Sequence, residues 1–209
     1  MGVTGAGKST YISKCCSKKI AIGHNLQACE FGWLCEGKNH HSNEAHLGTT
    51  TVDVYPYKIS SATTVYLVDT PGFDDTNRSD TEVLREIATW LTDSYTANIK
   101  LNGIIYLHRI SDVRMQGSAK KNLFMFKKLC GPNALRHVIL ATTMWDRVSE
   151  VEGRAREQEL TSTDDFWGWM VSQGSRVCRH SGRRSMRNNY SLLANSSCQA
   201  AKIPHLPSY

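Results

Sequence analysis

The stretch Gly2-Val3-Thr4-Gly5-Ala6-Gly7-Lys8-Ser9-Thr10 constrains this chain more than any other. It fits the pattern G-x-x-x-x-G-K-[ST], a glycine-rich turn that feeds a helix. Backbone N–H groups must curl around a phosphate there, and side chains would block the approach, so glycine is favoured. The helix that starts near Gly7 turns its positive dipole end toward the same anion. Lys8 supplies a point charge to the distal phosphates, and the Ser9 hydroxyl stands where a Mg²⁺ ligand is needed. Such a loop normally follows a buried strand at the centre of a parallel sheet. Here only Met1 precedes it. The expectation is therefore a phosphate-loop α/β fold of three layers with a mostly parallel sheet, its first strand largely missing. A shortened version of a longer sequence explains that better than an unusually late start.

The rest of the chain alternates in the manner such a fold requires. A helix is expected to about Lys18, then a polar segment from Gly23 to Gly48 with no steady period. That segment holds Cys29, Cys35, His40, His41 and His46, whose spacing matches no common zinc pattern, so a polar loop is preferred to a metal site. Strands follow at Thr50–Tyr55 and Val65–Val68, the second ending in Asp69-Thr70-Pro71-Gly72. An aspartate at the carboxyl end of a buried strand faces the crevice where α/β sheets bind ligands. A plain turn could carry the same residues. After a phosphate loop, the expectation is a Mg²⁺-water ligand at Asp69, with the Gly72 N–H near the last phosphate. Ser79-Asp80-Thr81-Glu82 is a capping box, and Val83, Ile87, Trp90, Leu91 and Tyr95 then form one apolar face. Further strands are expected at Leu101–Leu107 and Val138–Ala141. Helices are expected at Ser118–Leu129, with Leu123, Phe126 and Cys130 inward, at Glu150–Leu160, and around Phe166–Met170. Arg176–Arg179 could be a last short strand.

Charge separates the body from the tail. Six of the 25 basic residues lie from Gly174 onward, where there is no Asp or Glu, so the preceding part carries 19 of each sign. A neutral body argues against a nucleic-acid partner. The tail reads as a solvated, disordered segment rather than a basic membrane- or nucleic-acid-binding arm. No apolar run approaches the length of a transmembrane segment, and seven cysteines without a secretory leader read as reduced thiols, so a cytoplasmic protein is expected.

Three motifs in order resemble those of a translation-factor-type GTPase domain: the loop, Asp69-Thr70-Pro71-Gly72, and Thr143-Met144-Trp145-Asp146. The third is similar to the guanine-recognition motif [NT]-K-x-D, with Met144 where Lys usually stands. The stretches Ile105–Asp112 and Leu140–Asp146 are most similar to the septin and immunity-associated GTPase group and the fungal G-domain proteins related to it. The resemblance implies a G domain over residues 1–180 and a tail over 181–209. By position it places Gly5, Ala6, Gly7, Lys8, Ser9 and Thr10 on the phosphates of GTP or GDP. It places Ser9, Asp69 and a switch threonine, Thr50 among Thr49–Thr51, at Mg²⁺, and gives Thr50 or Thr51 the catalytic role. Thr143 and Asp146 would meet the guanine, and Met144 would pack on the base face. Phe73 stands where Ras-like enzymes have a water-orienting glutamine, so slow hydrolysis is implied.

The segment 30–48 looks inserted, an unspliced intron or a real loop extension, and past His180 the closing amphipathic helix is missing. The implied activity is a Mg²⁺-dependent GTP switch, with possible homo- or hetero-oligomers through the nucleotide face. The rivals are a non-hydrolysing septin-like assembly module and a phosphate-loop small-molecule kinase.

Overall fold

Val138–Thr143 is buried at all six positions, which requires a strand covered on both faces. The computed structural model describes residues 1–16, 52–58, 61, 64–75, 78–99, 101–115 and 117–180. In chain order these form α1 (Lys8–Cys16), β1 (Asp53–Lys58), β2 (Thr64–Asp69), α2 (Asp80–Thr96), β3 (Ile104–Arg109), α3 (Gly117–Cys130), β4 (Val138–Thr143), α4 (Glu150–Ser162), α5 (Gly168–Ser172) and β5 (Arg176–Arg179). β3, β4 and β5 are parallel in that order, with Tyr106 opposite Leu140 and Leu140 opposite Val177. β1 runs antiparallel to β2, with Val54 opposite Val68.

The two sheets meet through the first residues of the chain. Gly2 bridges Leu107 of β3, and Val3 bridges Phe73 beyond β2, both in parallel. The Met1 amine donates to the Ile105 carbonyl at 2.8 Å, and the Leu107 N–H to the Met1 carbonyl at 2.9 Å. Residues 1–3 thus occupy the slot between β2 and β3 where the sequence placed a strand. Gly2 has φ +138°, and a Cβ there would collide with the Leu107 carbonyl, so only glycine permits this approach.

Alternate strand residues feed opposite layers. Leu107 and Ala141 join Val3, Ala6, Tyr11, Ile12, Tyr55 and Leu67 under α1. Tyr106 and Leu140 join Leu123, Phe126, Leu160, Trp167 and Met170 under α3, α4 and α5. Phe73, Val83 and Ile87 pack α2 onto that second face. Helices thus cover both faces of a mostly parallel sheet, and the fold is the expected three-layer α/β one.

Ser79 and Ser149 both close capping boxes, with Glu82 and Glu152, which fix the starts of α2 and α4. One expectation fails on α2. Tyr95 is 69% exposed, and Ser94 is buried in its place. The last turn of α2 thus turns Ser94 inward and Tyr95 outward. The segment 30–48, the five cysteine and histidine positions within the polar loop, Thr49, Thr50 and Thr51, and the tail 181–209 lie outside the described residues. No described helix is long and apolar enough to cross a membrane.

Candidate functional site

The phosphate loop sits at the carboxyl ends of β2, β3 and β4, where the parallel topology leaves a crevice. Gly5 and Gly7 have φ +77° and +88°, a left-handed conformation that turns the chain tightly into α1. The Lys8 ammonium lies inside the turn and donates to the carbonyls of Val3 at 3.1 Å and Gly2 at 3.2 Å. Burial pushes its pKa down to about 8, against the opposing pull of Asp69 and Asp75. An anion beside it would push that pKa back up.

Ser9 and Asp69, sixty positions apart, come together: the Ser9 hydroxyl donates to Asp69 Oδ2 at 2.6 Å. Gly72 closes the same corner. A Cβ on it would stand 2.7 Å from Thr4 Cα and 2.8 Å from Lys8 Nζ, and nearer still to Thr4 Oγ1. The Thr4 N–H donates to the Phe73 carbonyl at 2.7 Å, which fastens this turn to the loop. The buried hydroxyls of Thr4 and Thr70 find no partner among the described residues. Unpaired buried hydroxyls of this kind suit a polar ligand. A serine hydroxyl beside a carboxylate is a hard oxygen donor set of the kind Mg²⁺ takes together with waters and phosphate oxygens. Phe73 itself is wholly buried among Val83 and Ile87, so the position where a water-orienting side chain was looked for points into the core.

At the end of β4, Thr143 does something the sequence did not suggest. The residue is 3% exposed, and its hydroxyl donates to the Ala6 carbonyl at 3.0 Å, with the His108 carbonyl at 3.3 Å. It braces the loop from behind. Met144 is left-handed (φ 61°, ψ 36°), and its methyl lies 3.9 Å from where a Gly7 Cβ would be, so the thioether covers the loop at the helix start. Asp146 is exposed on the short 3-10 turn Trp145–Arg147 that follows.

That turn is held by residues the sequence reading passed over. The Trp145 indole N–H donates to Thr142 Oγ1 at 3.0 Å. Its ring packs against Gly153 of α4, where a Cβ would stand 2.5 Å from the ring. The Arg179 guanidinium covers the ring at 4.2 Å and is held by Glu157 and Glu150. An isolated glycine inside a helix costs about 1 kcal/mol relative to alanine, and that was the available signal. Ala6, Lys8, Ser9, Asp69, Gly72 and Thr143 therefore converge in the crevice. Thr10 lies on the first turn of α1.

Toc33 from Arabidopsis thaliana in complex with GDP and Mg²⁺ superposes with a TM-score of 0.67 at 13% identity, covering 97% of this chain and 85% of that one. This chain shares its fold. Toc33 with Mg²⁺ and GMPPNP gives a TM-score of 0.63 at 13% identity, over 94% and 83% of the two chains. A dimerization-deficient mutant of Toc33 gives 0.65 at 12% identity, over 96% and 84%. In a further similar structure (TM-score 0.62, 14% identity, 96% and 83% covered), dimerization is described as important for the GTPase activity of the chloroplast translocon components atToc33 and psToc159. No protein-family model matches the sequence, and no curated protein matches it.

Proposed function

We propose that this chain is a GTP-binding protein of the phosphate-loop GTPase type, working as a Mg²⁺-dependent switch with slow hydrolysis. The observation that carries the reading is the meeting of Ser9 and Asp69 at 2.6 Å beneath a turn that Gly72 packs onto Thr4 and Lys8. The N–H groups of Gly5, Ala6 and Gly7 and the Lys8 ammonium would hold the phosphates, with Thr10 on the first turn of the helix. Ser9 and Asp69 would hold Mg²⁺, which neutralises phosphate charge when bound. Thr50 or Thr51 is assigned as the switch threonine, and Asp146 as the acceptor for the guanine edge. Toc33 structures hold GDP or GMPPNP with Mg²⁺ on this fold, which supports the same ligand class here. A place in the septin and immunity-associated group rests on the sequence motifs.

Phe73 gives weight to a second reading. With that side chain in the core, nothing at its position orients water, and the chain would serve as an assembly module whose bound GTP holds an interface. Association across the nucleotide face accords with the role of dimerization in Toc33. Turnover measured over a wide range of protein concentration separates the two.

The base is the sharper test. Guanine offers N1–H and its 2-amino group to one carboxylate, and charge-assisted bonds are roughly twice as strong as neutral ones. Adenine would leave Asp146 desolvated and unpaired. GTP is therefore expected to exceed ATP by about 10³ in competition titrations. Asp146→Asn should weaken GTP and favour xanthosine triphosphate, whose 2-carbonyl accepts the new donor. Equal affinity for ATP and GTP would turn the assignment toward a small-molecule kinase.

A further inference from the structure

Arg109 ends β3 beside the phosphate loop, inside the stretch Ile105–Asp112 that carries the resemblance but assigns it no role. Its Nε donates to Asp112 Oδ2 at 3.1 Å, a bond that fixes the plane of the guanidinium. The Asp112 N–H also donates to the Arg109 carbonyl at 3.2 Å, so the turn that carries the carboxylate is itself held. From this anchor, Nη1 reaches over the loop and stands 3.2 Å from the point a Gly5 Cβ would occupy. Gly5 is exposed and left-handed, so its bare Cα leaves the guanidinium resting on the outer rim of the turn. A salt bridge alone does not need that reach. A guanidinium with its Nε held by Asp112 and its Nη1 beside the glycine-rich turn is set up to meet an oxyanion bound there.

We propose that Arg109, clamped by Asp112, contacts the distal phosphates of the nucleotide bound by its own chain. The proposal rests on the phosphate-loop reading above, in which those phosphates lie under Gly5–Lys8. Arg109 would then share with Lys8 the charge of the diphosphate or triphosphate. It supplies in cis a cation of the sort that other phosphoryl-transfer sites borrow from a partner.

The test uses calorimetric titration of the full chain with GMP, GDP and GMPPNP in the presence of Mg²⁺. Arg109→Ala should lower affinity for GDP and GMPPNP by about 10–100-fold, the range of one charge-assisted hydrogen bond, and change GMP less than about twofold. Arg109→Lys should recover part of the loss, and Asp112→Asn should show a smaller loss with the same dependence on phosphate number. Arg109→Ala binding all three like the unmodified chain, or losing all three equally, would overturn the proposal. Lys8→Ala separates this from the underlying reading. If it keeps near-normal GDP affinity, the phosphate-loop assignment fails. If it loses GDP while Arg109→Ala does not, only the role of Arg109 fails. Finally, GDP affinity of Arg109→Ala is measured with excess Lys8→Ala chain, whose own loop is disabled. No recovery supports the cis contact; recovery would place Arg109 on a partner's nucleotide and overturn it.

Discussion

Gly72 illustrates how far single residues carry the site. A methyl group there would enter space already filled by Thr4 and by the Lys8 ammonium, and backbone on the Thr4 side cannot yield cheaply. Overpacking of this kind costs about 1–3 kcal/mol. Gly72→Ala is therefore expected to weaken GTP by roughly tenfold or more, read by titration, while the circular dichroism spectrum stays unchanged. At this scale the sequence was most legible where chemistry restricts residue choice. A glycine turn, a lysine and a serine in fixed spacing announce themselves, and Asp69 was found because it ends an apolar run. Arg109 and Arg179 were not found, since one arginine resembles another until the fold brings Gly5 and Trp145 beside them. Thr143 was assigned to the guanine, yet its hydroxyl is occupied by Ala6, a contact between positions far apart that no local pattern encodes.

Elements were readable in order and type, less so at their ends. The expected capping box at Ser79 forms, and the expected inner stripe of α3, Leu123, Phe126 and Cys130, is buried; the second box, at Ser149, was not read from the sequence. Periodicity failed at Tyr95, which is exposed while the adjacent Ser94 is buried. It also could not show that β1 would pair antiparallel, because alternation within a strand is silent about direction. The turn that carries Asp146 depends on neighbours far along the chain. Trp145 packs against Gly153 and under the Arg179 guanidinium, so α4 and β5 jointly set the position of the residue that follows it, Asp146. Gly153→Ala should improve helix propensity locally yet displace the indole. The expected result is a net loss of stability of about 1–2 kcal/mol in urea denaturation. A fall in GTP-over-ATP discrimination should accompany it, with inorganic pyrophosphate binding unaltered. Unchanged discrimination would show that the stack does not position the base reader.

For the whole molecule, the junction between β2 and β3 matters most, since among the described residues only 1–3 fill it and the Met1 amine is buried there. Burial holds that amine down at about 5, with Lys8 adding to the effect and Asp69 opposing it. An apolar strand joined ahead of Met1 would put a neutral amide in its place and pair with both edges, each new bond adding about 0.5–1.5 kcal/mol. Its melting temperature should rise by at least about 5 °C over the 209-residue chain, and an unchanged melt would contradict this. Acid sensitivity has a separate source. His108 is buried on β3 against the edge of Trp167. Burial holds its pKa down at about 4 from 6.5, with Asp112 opposing and Arg109 adding. The folded state keeps the ring neutral, so its contribution is complete above pH 6.5 and is lost as pH falls toward 4, about 3 kcal/mol in all. Melting temperature should drop over that window, and more gently in His108→Asn. The Thr143–Ala6 bond has a consequence of another kind. It joins the strand that ends in the turn carrying Asp146 to the glycine-rich loop, so the two ends of the crevice keep a set span. On the function proposed above, the crevice would act as a gauge: a ligand with the right base and the right phosphates, but the wrong length between them, would fill one end only.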